Sequence, residues 1–260
     1  MDANQLFKAG KLTEAIDAQI ALVKAKPIDQ GARLFLFELI VFSGDLDRAQ
    51  KQIDAIQPDQ PEILVVLTDY RKLLDAERAR RQVFSSKVQP SFFGDVPEHV
   101  RQRLLGLVNL ADGKTSEAAD AFQQANAQIP DLIGKLNDKP FDGLRDGDDC
   151  LGSVLEVFNH GRYYWVPLEQ VQTLTMNAPR FPRDLLWIPA HLEMKAGDEG
   201  SVFLPALYPG TEKETDVQLK LGRMTDWRGE APVRGVGAKS FFVGPDEMGL
   251  LDWRKLELTA

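Results

Sequence analysis

Glycine, alanine and proline return at fixed spacing along the first half of this chain, and that return limits its architecture more than any other feature. Gly10, Leu12, Ala15 and Pro27 reappear as Gly44, Leu46, Ala49 and Pro61, each 34 residues on. Gly113, Ala118 and Pro130 follow a further 69 residues along, with Thr115 in the leucine position. In every copy the alanine comes five residues after the glycine and the proline twelve after the alanine. A period of this length marks stacked helical hairpins, none of which can bury its apolar face alone.

Each position has a physical reason. Gly10, Gly44 and Gly113 fall where a first helix ends and the chain turns, a place that suits positive φ. Ala15, Ala49 and Ala118 fall one turn into the second helix, where a small side chain lets the paired helix approach. Pro27, Pro61 and Pro130 then end that second helix. The pattern resembles the tetratricopeptide repeat. Beyond Pro61 the repeat decays, and Ile63, Val66, Tyr70, Leu73, Leu74 and Glu77 predict one long helix from about Glu62 to Phe84, with basic residues Arg78, Arg80 and Arg81 complementing its C-terminal dipole. A loop with Pro90, Gly94 and Pro97 leads to a helix over His99 to Ala111.

After Pro130 the period changes. Gly134 to Asp149, rich in Asp, Gly and Lys, reads as a linker or the mouth of a new domain. Ser153 to Phe158 and Arg162 to Val166, joined by Asn159, His160 and Gly161, predict a hairpin. Further short strands are expected at Leu185 to Ile188, Gly200 to Leu207, Val217 to Leu221 and Lys239 to Val243, with at most one helix, near Pro167 to Leu174. The predicted fold class is therefore α+β: an N-terminal tetratricopeptide-like helical repeat domain over residues 1–138, then a smaller strand-rich α+β domain over residues 139–260.

Composition removes several function classes. The net charge of −8 opposes non-specific binding to nucleic acid or anionic lipid, and no apolar run is long enough to span a membrane. Residues 1–140 hold 18 basic and 20 acidic residues and residues 141–260 hold 13 and 19, so the acidity lies in the second domain. The single cysteine, Cys150, fits a reducing compartment, and the start of the chain, with Asp2 ahead of any lysine and no apolar core, predicts no secretory leader; a cytoplasmic protein is expected.

No catalytic constellation is visible. His99, His160 and His191 are isolated in the sequence, and a metal at His160 and His191 would need carboxylates brought by folding. Asp142, Asp146, Asp148 and Asp149 lack EF-hand spacing, since the fifth position from Asp146 is Cys150 and no glutamate stands twelfth; turn formation explains them better. Gly235, Gly237, Lys239 and Ser240 miss phosphate-loop spacing. No cofactor or metal is expected. Aromatic residues paired with charge stand out: Tyr163, Tyr164 and Trp165; Arg183, Asp184 and Trp187; Arg223, Asp226 and Trp227. They serve either as core of the second domain or as interface anchors.

Motifs along nearly the whole chain carry a resemblance. They are Gly10 to Ala15, Leu36 to Leu39 leading to Gly44 to Ala49, Ala76 to Arg78 with Val83 and Phe84, Leu151 and Gly152 with Leu155 to Val157, Gly161 to Pro167, Arg183 to Trp187, and Gly222 to Trp227. Together they resemble the ImpE family, also called TagJ or SciE-like, accessory proteins of bacterial type VI secretion. The resemblance implies a non-catalytic cytoplasmic adaptor of the contractile sheath that binds the small sheath subunit and, in some members, the ClpV ATPase. It carries no catalytic residues over.

The expected binding surface is the concave face of the repeat, suited to a partner helix. By register it includes Leu34, Glu38, Val41 and Phe42 from the second repeat and Arg103, Leu107 and Leu110 from the third, with Arg183, Trp187, Arg223 and Trp227 as further anchors. Two rivals remain open: a hydrolase or ligand-binding site in the second domain around His160, Tyr164 and Arg183, and a general chaperone adaptor outside secretion.

Overall fold

The computed structural model describes residues 1–58 and 61–259. Seven of its helices come first: α1 (Ala3–Lys8), α2 (Leu12–Ala25), α3 (Gln30–Phe42), α4 (Leu46–Asp54), α5 (Pro61–Ser85), α6 (Glu98–Ala111) and α7 (Thr115–Asn126). The repeat residues hold the expected places. Gly10, Gly44 and Gly113 all have φ between 74° and 87°, and Ala15, Ala49 and Ala118 are completely buried. Asp2, Asp29 and Asp45 cap α1, α3 and α4 by accepting from backbone N–H groups three residues on. Pro61 differs from its counterparts: it opens α5 instead of following α4 directly, as proline at a first helical position can.

The remaining chain is strand-rich, in the order β1 (Ile133–Leu136), β2 (Lys139–Asp142), β3 (Leu144–Asp146), β4 (Val154–Asn159), β5 (Arg162–Pro167), β6 (Val171–Met176), β7 (Trp187–Met194), β8 (Glu199–Pro205), α8 (Val217–Lys220), β9 (Thr225–Arg228), β10 (Arg234–Gly237), β11 (Ser240–Val243), β12 (Asp246–Gly249) and β13 (Lys255–Leu258). An eight-stranded antiparallel sheet runs β2-β1-β13-β6-β7-β8-β4-β5, beside a three-stranded sheet β12-β11-β3 and the ribbon β10-β9. The last strand lies between β1 and β6, so the sheet closes only when the C-terminus arrives. The fold class is α+β, a helical repeat followed by a strand-rich domain.

Three local expectations need correction. Residues 134–149 open the strand-rich domain and are no linker: they hold most of β1 and all of β2 and β3, and Gly134 is required because a Cβ there would stand 2.2 Å from the Glu257 carbonyl of β13. The helix expected over 167–174 is a single 3₁₀ turn, Leu168–Gln170, followed by β6, whose Val171, Thr173 and Thr175 favour extended chain. The strand expected at 217–221 is α8, because the Asp216 side chain accepts from the Gln218 N–H and starts a helical turn. Short apolar runs are ambiguous between the two periods.

Apart from Glu156, β4 is apolar from Val154 to Phe158 because both its faces are covered. Leu155 and Val157 point into a core internal to the sheets, with Trp253 and Phe241. Val154 and Phe158 point the other way, into a core shared with the helices that includes Phe37, Phe42, Tyr70 and Leu74 together with Trp165, Trp187, Leu207 and Tyr208. Two regions of one chain thus share a single core. Cutting after Asp138 removes Trp165, Trp187, Leu207 and Tyr208 from the shared core and leaves β1 without β13, so a fragment of residues 1–138 is expected to bind a hydrophobic dye and to elute above monomer size in gel filtration; a compact monomeric fragment would contradict the shared core.

Candidate functional site

The α3 and α5 residues Val41, Phe42 and Arg80 pack against the rest of the chain. Val41, Phe42, Glu77, Arg80 and Arg81 face Leu186, Trp187, Leu207, Tyr208, Thr211 and Glu212 across a gap of only about 30 Å³. Arg81 donates to the Gly44 carbonyl at 2.8 Å and lies 3.8 Å from Glu212, and Arg223 donates to the Phe7 and Lys8 carbonyls at 2.8 and 3.0 Å, capping the end of α1. The same segment packs on the repeat turns: a Cβ at Gly10 or Gly44 would stand 2.7 Å from Gln218 or Glu212.

Most residues of the expected binding surface are not exposed. Glu38, Val41, Phe42, Arg103, Leu107 and Trp187 are buried, Leu34, Leu110, Arg183 and Trp227 are half-buried, and Arg223 is exposed but occupied with α1. The second domain covers Val41 and Phe42. Arg103, with no exposure at all, donates to the Asp149 carbonyl at 2.8 Å and to Asn126 Oδ1 at 2.6 Å, and burial lowers its guanidinium to about 10. It joins α6 and α7 to the loop before β4. Glu38 accepts from the Tyr70 hydroxyl at 3.2 Å, and burial pushes its carboxyl up to about 7.

At the centre of the domain contact lies a buried charge network. Arg80 of α5 grips Glu156 of β4 with two hydrogen bonds, 2.7 and 2.9 Å, and donates to the Leu207 carbonyl at 2.8 Å. Lys239 lies 2.5 Å from Glu156 and 3.4 Å from Asp146, while the Tyr163 and Tyr208 hydroxyls donate to Glu156 and Asp146 at 2.6 and 2.8 Å. Desolvation opposes ionisation of Glu156, yet Arg80 and Lys239 outweigh it and hold the carboxyl at about 2. Asp146 has Lys239 but no guanidinium fork, and burial raises it to about 6. Its Oδ1 also accepts from the Asp148 N–H, so turn formation does account for part of this aspartate cluster.

His99 is no longer isolated once the chain folds. Its Nδ1 is 3.1 Å from Ser153 Oγ and its Nε2 is 2.6 Å from Glu169 Oε1. Hydrogen on Nε2 lets the ring donate to Glu169 and accept from Ser153. Ser153 is completely buried, so no substrate carbonyl reaches it, and the trio ties α6 to the start of β4 and the turn after β5. The rival site separates: His160 stands exposed in the β4–β5 turn, Tyr164 stacks on Phe93 at 4.2 Å, and Arg183 lies over the Tyr70 ring. Neither cleft beside His160 is lined by Tyr164 or Arg183.

One apolar cleft of about 430 Å³ stays open. Val83 from α5, Val88, Phe92 and Val96 from the following loop, and Leu104, Leu105, Leu107 and Val108 from α6 line it, with Lys87 and Arg101 also present. Val88 and Leu105 are about half exposed, at 51% and 49%. Leu107 is the one residue of the expected surface that lines it.

Comparison with known proteins adds to this geometry. The family description "ImpE protein" matches residues 138–257. The type VI secretion system accessory component TagJ of Pseudomonas aeruginosa is 34% identical over 257 residues, 99% of this chain and 91% of the relative. The chain belongs to the ImpE family. A crystal structure of a Vibrio parahaemolyticus protein shares the fold with a TM-score of 0.89 at 24% identity, covering 99% of this chain and 97% of that one. Within the ImpE match lie Glu156, Lys239 and Asp146, whereas Arg80 lies outside it, so the network joins the family region to the preceding helices.

Sequence reasoning missed this network although it left a trace: Glu156 interrupts an otherwise apolar strand, and a charge there needs a buried partner. Arg80→Met should cost roughly 3–5 kcal/mol by leaving Glu156 with Lys239 alone, read by urea unfolding; near-native stability would refute its central role. Glu38 gives a pH prediction. Between 4.5 and about 7 the folded state keeps a proton that the unfolded state releases, so stability falls as pH rises through that window. Asp146 contributes in the same direction up to about 6, and Glu156 in the opposite direction between 4.5 and about 2. Glu38→Gln should remove roughly 3 kcal/mol of that decline, seen by comparing unfolding at about pH 5 and about pH 8.

Proposed function

We propose that this protein is a type VI secretion accessory factor that acts by binding and not by catalysis, holding an amphipathic helix of the small sheath subunit in the cytoplasm. The observation that carries the reading is the match to TagJ over 99% of the chain, a relative named as an accessory component of that system. Catalysis finds no support in the Ser153–His99–Glu169 trio, whose serine is buried.

The proposed seat is the open cleft between the end of α5, the following loop and α6. Its apolar wall of Phe92, Leu104, Leu105 and Val108 suits the apolar face of a helix, and Lys87 and Arg101 suit acidic residues beside that face. The repeat's own concave face is taken, so a helix seated there would have to displace the second domain. Contact with the N-terminal domain of ClpV is a further part of the proposal, through a separate surface, so that holding the sheath subunit influences how the disassembly ATPase engages it.

Isothermal titration of the full chain with the small sheath subunit of the same organism tests this. Saturable binding is expected, and the double variant Val88→Asp with Leu105→Asp should weaken it at least tenfold, about 1.4 kcal/mol, because both side chains are already half exposed and their loss spares the core. Unchanged affinity in the folded variant would remove the cleft from the proposal; no binding by the unaltered chain would remove the sheath subunit.

A further inference from the structure

On the exposed face of the large sheet, folding supplies the carboxylates that His191 lacks in the sequence. His191 and Glu193 alternate along β7, and Glu199 of β8 is the direct register partner of Glu193. One ligand atom from each of the three lies within 4.8 Å of the others, with His191 Nε2 3.9 Å from Glu193 Oε1. Thr173 of β6, opposite Glu193 on the other side, donates its hydroxyl to Glu193 Oε2 at 2.8 Å and fixes that carboxylate's orientation.

Two carboxylates directly opposite each other across a strand pair repel. The lysine two strands away, Lys255, gives its ammonium to Glu257 at 2.7 Å, and among the described residues the Glu199 carboxylate has no hydrogen-bond or ion-pair partner. A divalent cation removes that repulsion. Three donors carried on paired strands have little freedom to lose, and tetrahedral zinc ligands stand about 3.3 Å apart, within reach of small side-chain rotations here. One imidazole with two carboxylates selects a borderline transition cation over magnesium, which prefers oxygen donors and keeps its waters.

We propose that His191, Glu193 and Glu199 form a surface site for a divalent transition cation of the zinc type. Three ligands on an open face leave a coordination position for water or an outside donor. Thr173 is a positioning residue for this site. The proposal stands apart from the sheath reading, since it uses another surface and another ligand.

Titration of the metal-free full chain with zinc chloride, followed by calorimetry near neutral pH, tests it. One saturable site per chain is expected, weakened at least tenfold in His191→Ala and in Glu199→Gln, unchanged in His160→Ala, and without a matching response to magnesium chloride. Thr173→Val should weaken binding less than loss of a ligand does. Circular dichroism of each variant should match the unaltered chain, because all the substituted side chains lie at the surface or, for Thr173, half-buried. Absence of a saturable zinc response, a response unchanged in His191→Ala, or equal binding of magnesium would overturn the site.

Discussion

The contact between Arg80 and Glu156 is what the rest of this structure depends on. Arg80 is nearly fully buried on α5 and Glu156 is buried on β4, 76 residues later in the chain. Neither charge can remain in the interior alone, because an unpaired buried ion costs several kcal/mol. Lys239, brought from near the C-terminus, shares Glu156 and links it to Asp146. A buried ion group of this kind adds little stability over a well-packed apolar set. What it adds is geometry: Arg80 meets Glu156 in one placement of α5 on the sheet, and sliding the helix by a turn, about 5.4 Å, would break that pair.

That placement decides what the repeat can do. A short helical array has an end that needs covering and a concave face that needs an occupant. Here α3 and α5 receive Trp187, Leu207 and Tyr208 from the second domain, and Arg223 reaches back to the end of α1. The helices and the sheet therefore share one core, and the face expected to hold a ligand is packed. The two sites proposed for binding therefore lie outside it, in the cleft beside α6 and on the exposed sheet face. Charged residues deep in the contact, Glu38 among them, tie the stability of that body to pH.

Much of the first half was legible because its signals are local. A turn glycine, a small alanine and a terminating proline each act within a few residues, and the long apolar spacing from Ile63 to Leu74 identified α5 nearly to the residue. The β4–β5 hairpin was legible for the same reason, with its turn at His160 and Gly161. Helical spacing singles out Glu38, Arg103 and Phe42, yet spacing does not say what will cover a residue, and all three are buried. His99 acquires its partners from 54 and 70 residues away, and Glu156 from 76. The metal-type cluster likewise appears only when β7 and β8 pair. Residues 217–220 were misjudged because four residues cannot display a period, and the Asp216 cap decided the outcome.

The most direct test of this account is amide hydrogen exchange on the full chain, comparing the buried stretch of α3 from Leu36 to Phe42 with β4 and with residues 204–208. If the helices and the sheet are joined through the Arg80–Glu156 contact, the slowest amides of all three segments should open with the same free energy, that of global unfolding. Exchange of α3 through a separate, lower-energy opening while β4 stays protected would show that the repeat and the sheet are independent units, and would contradict the central role assigned to their shared core.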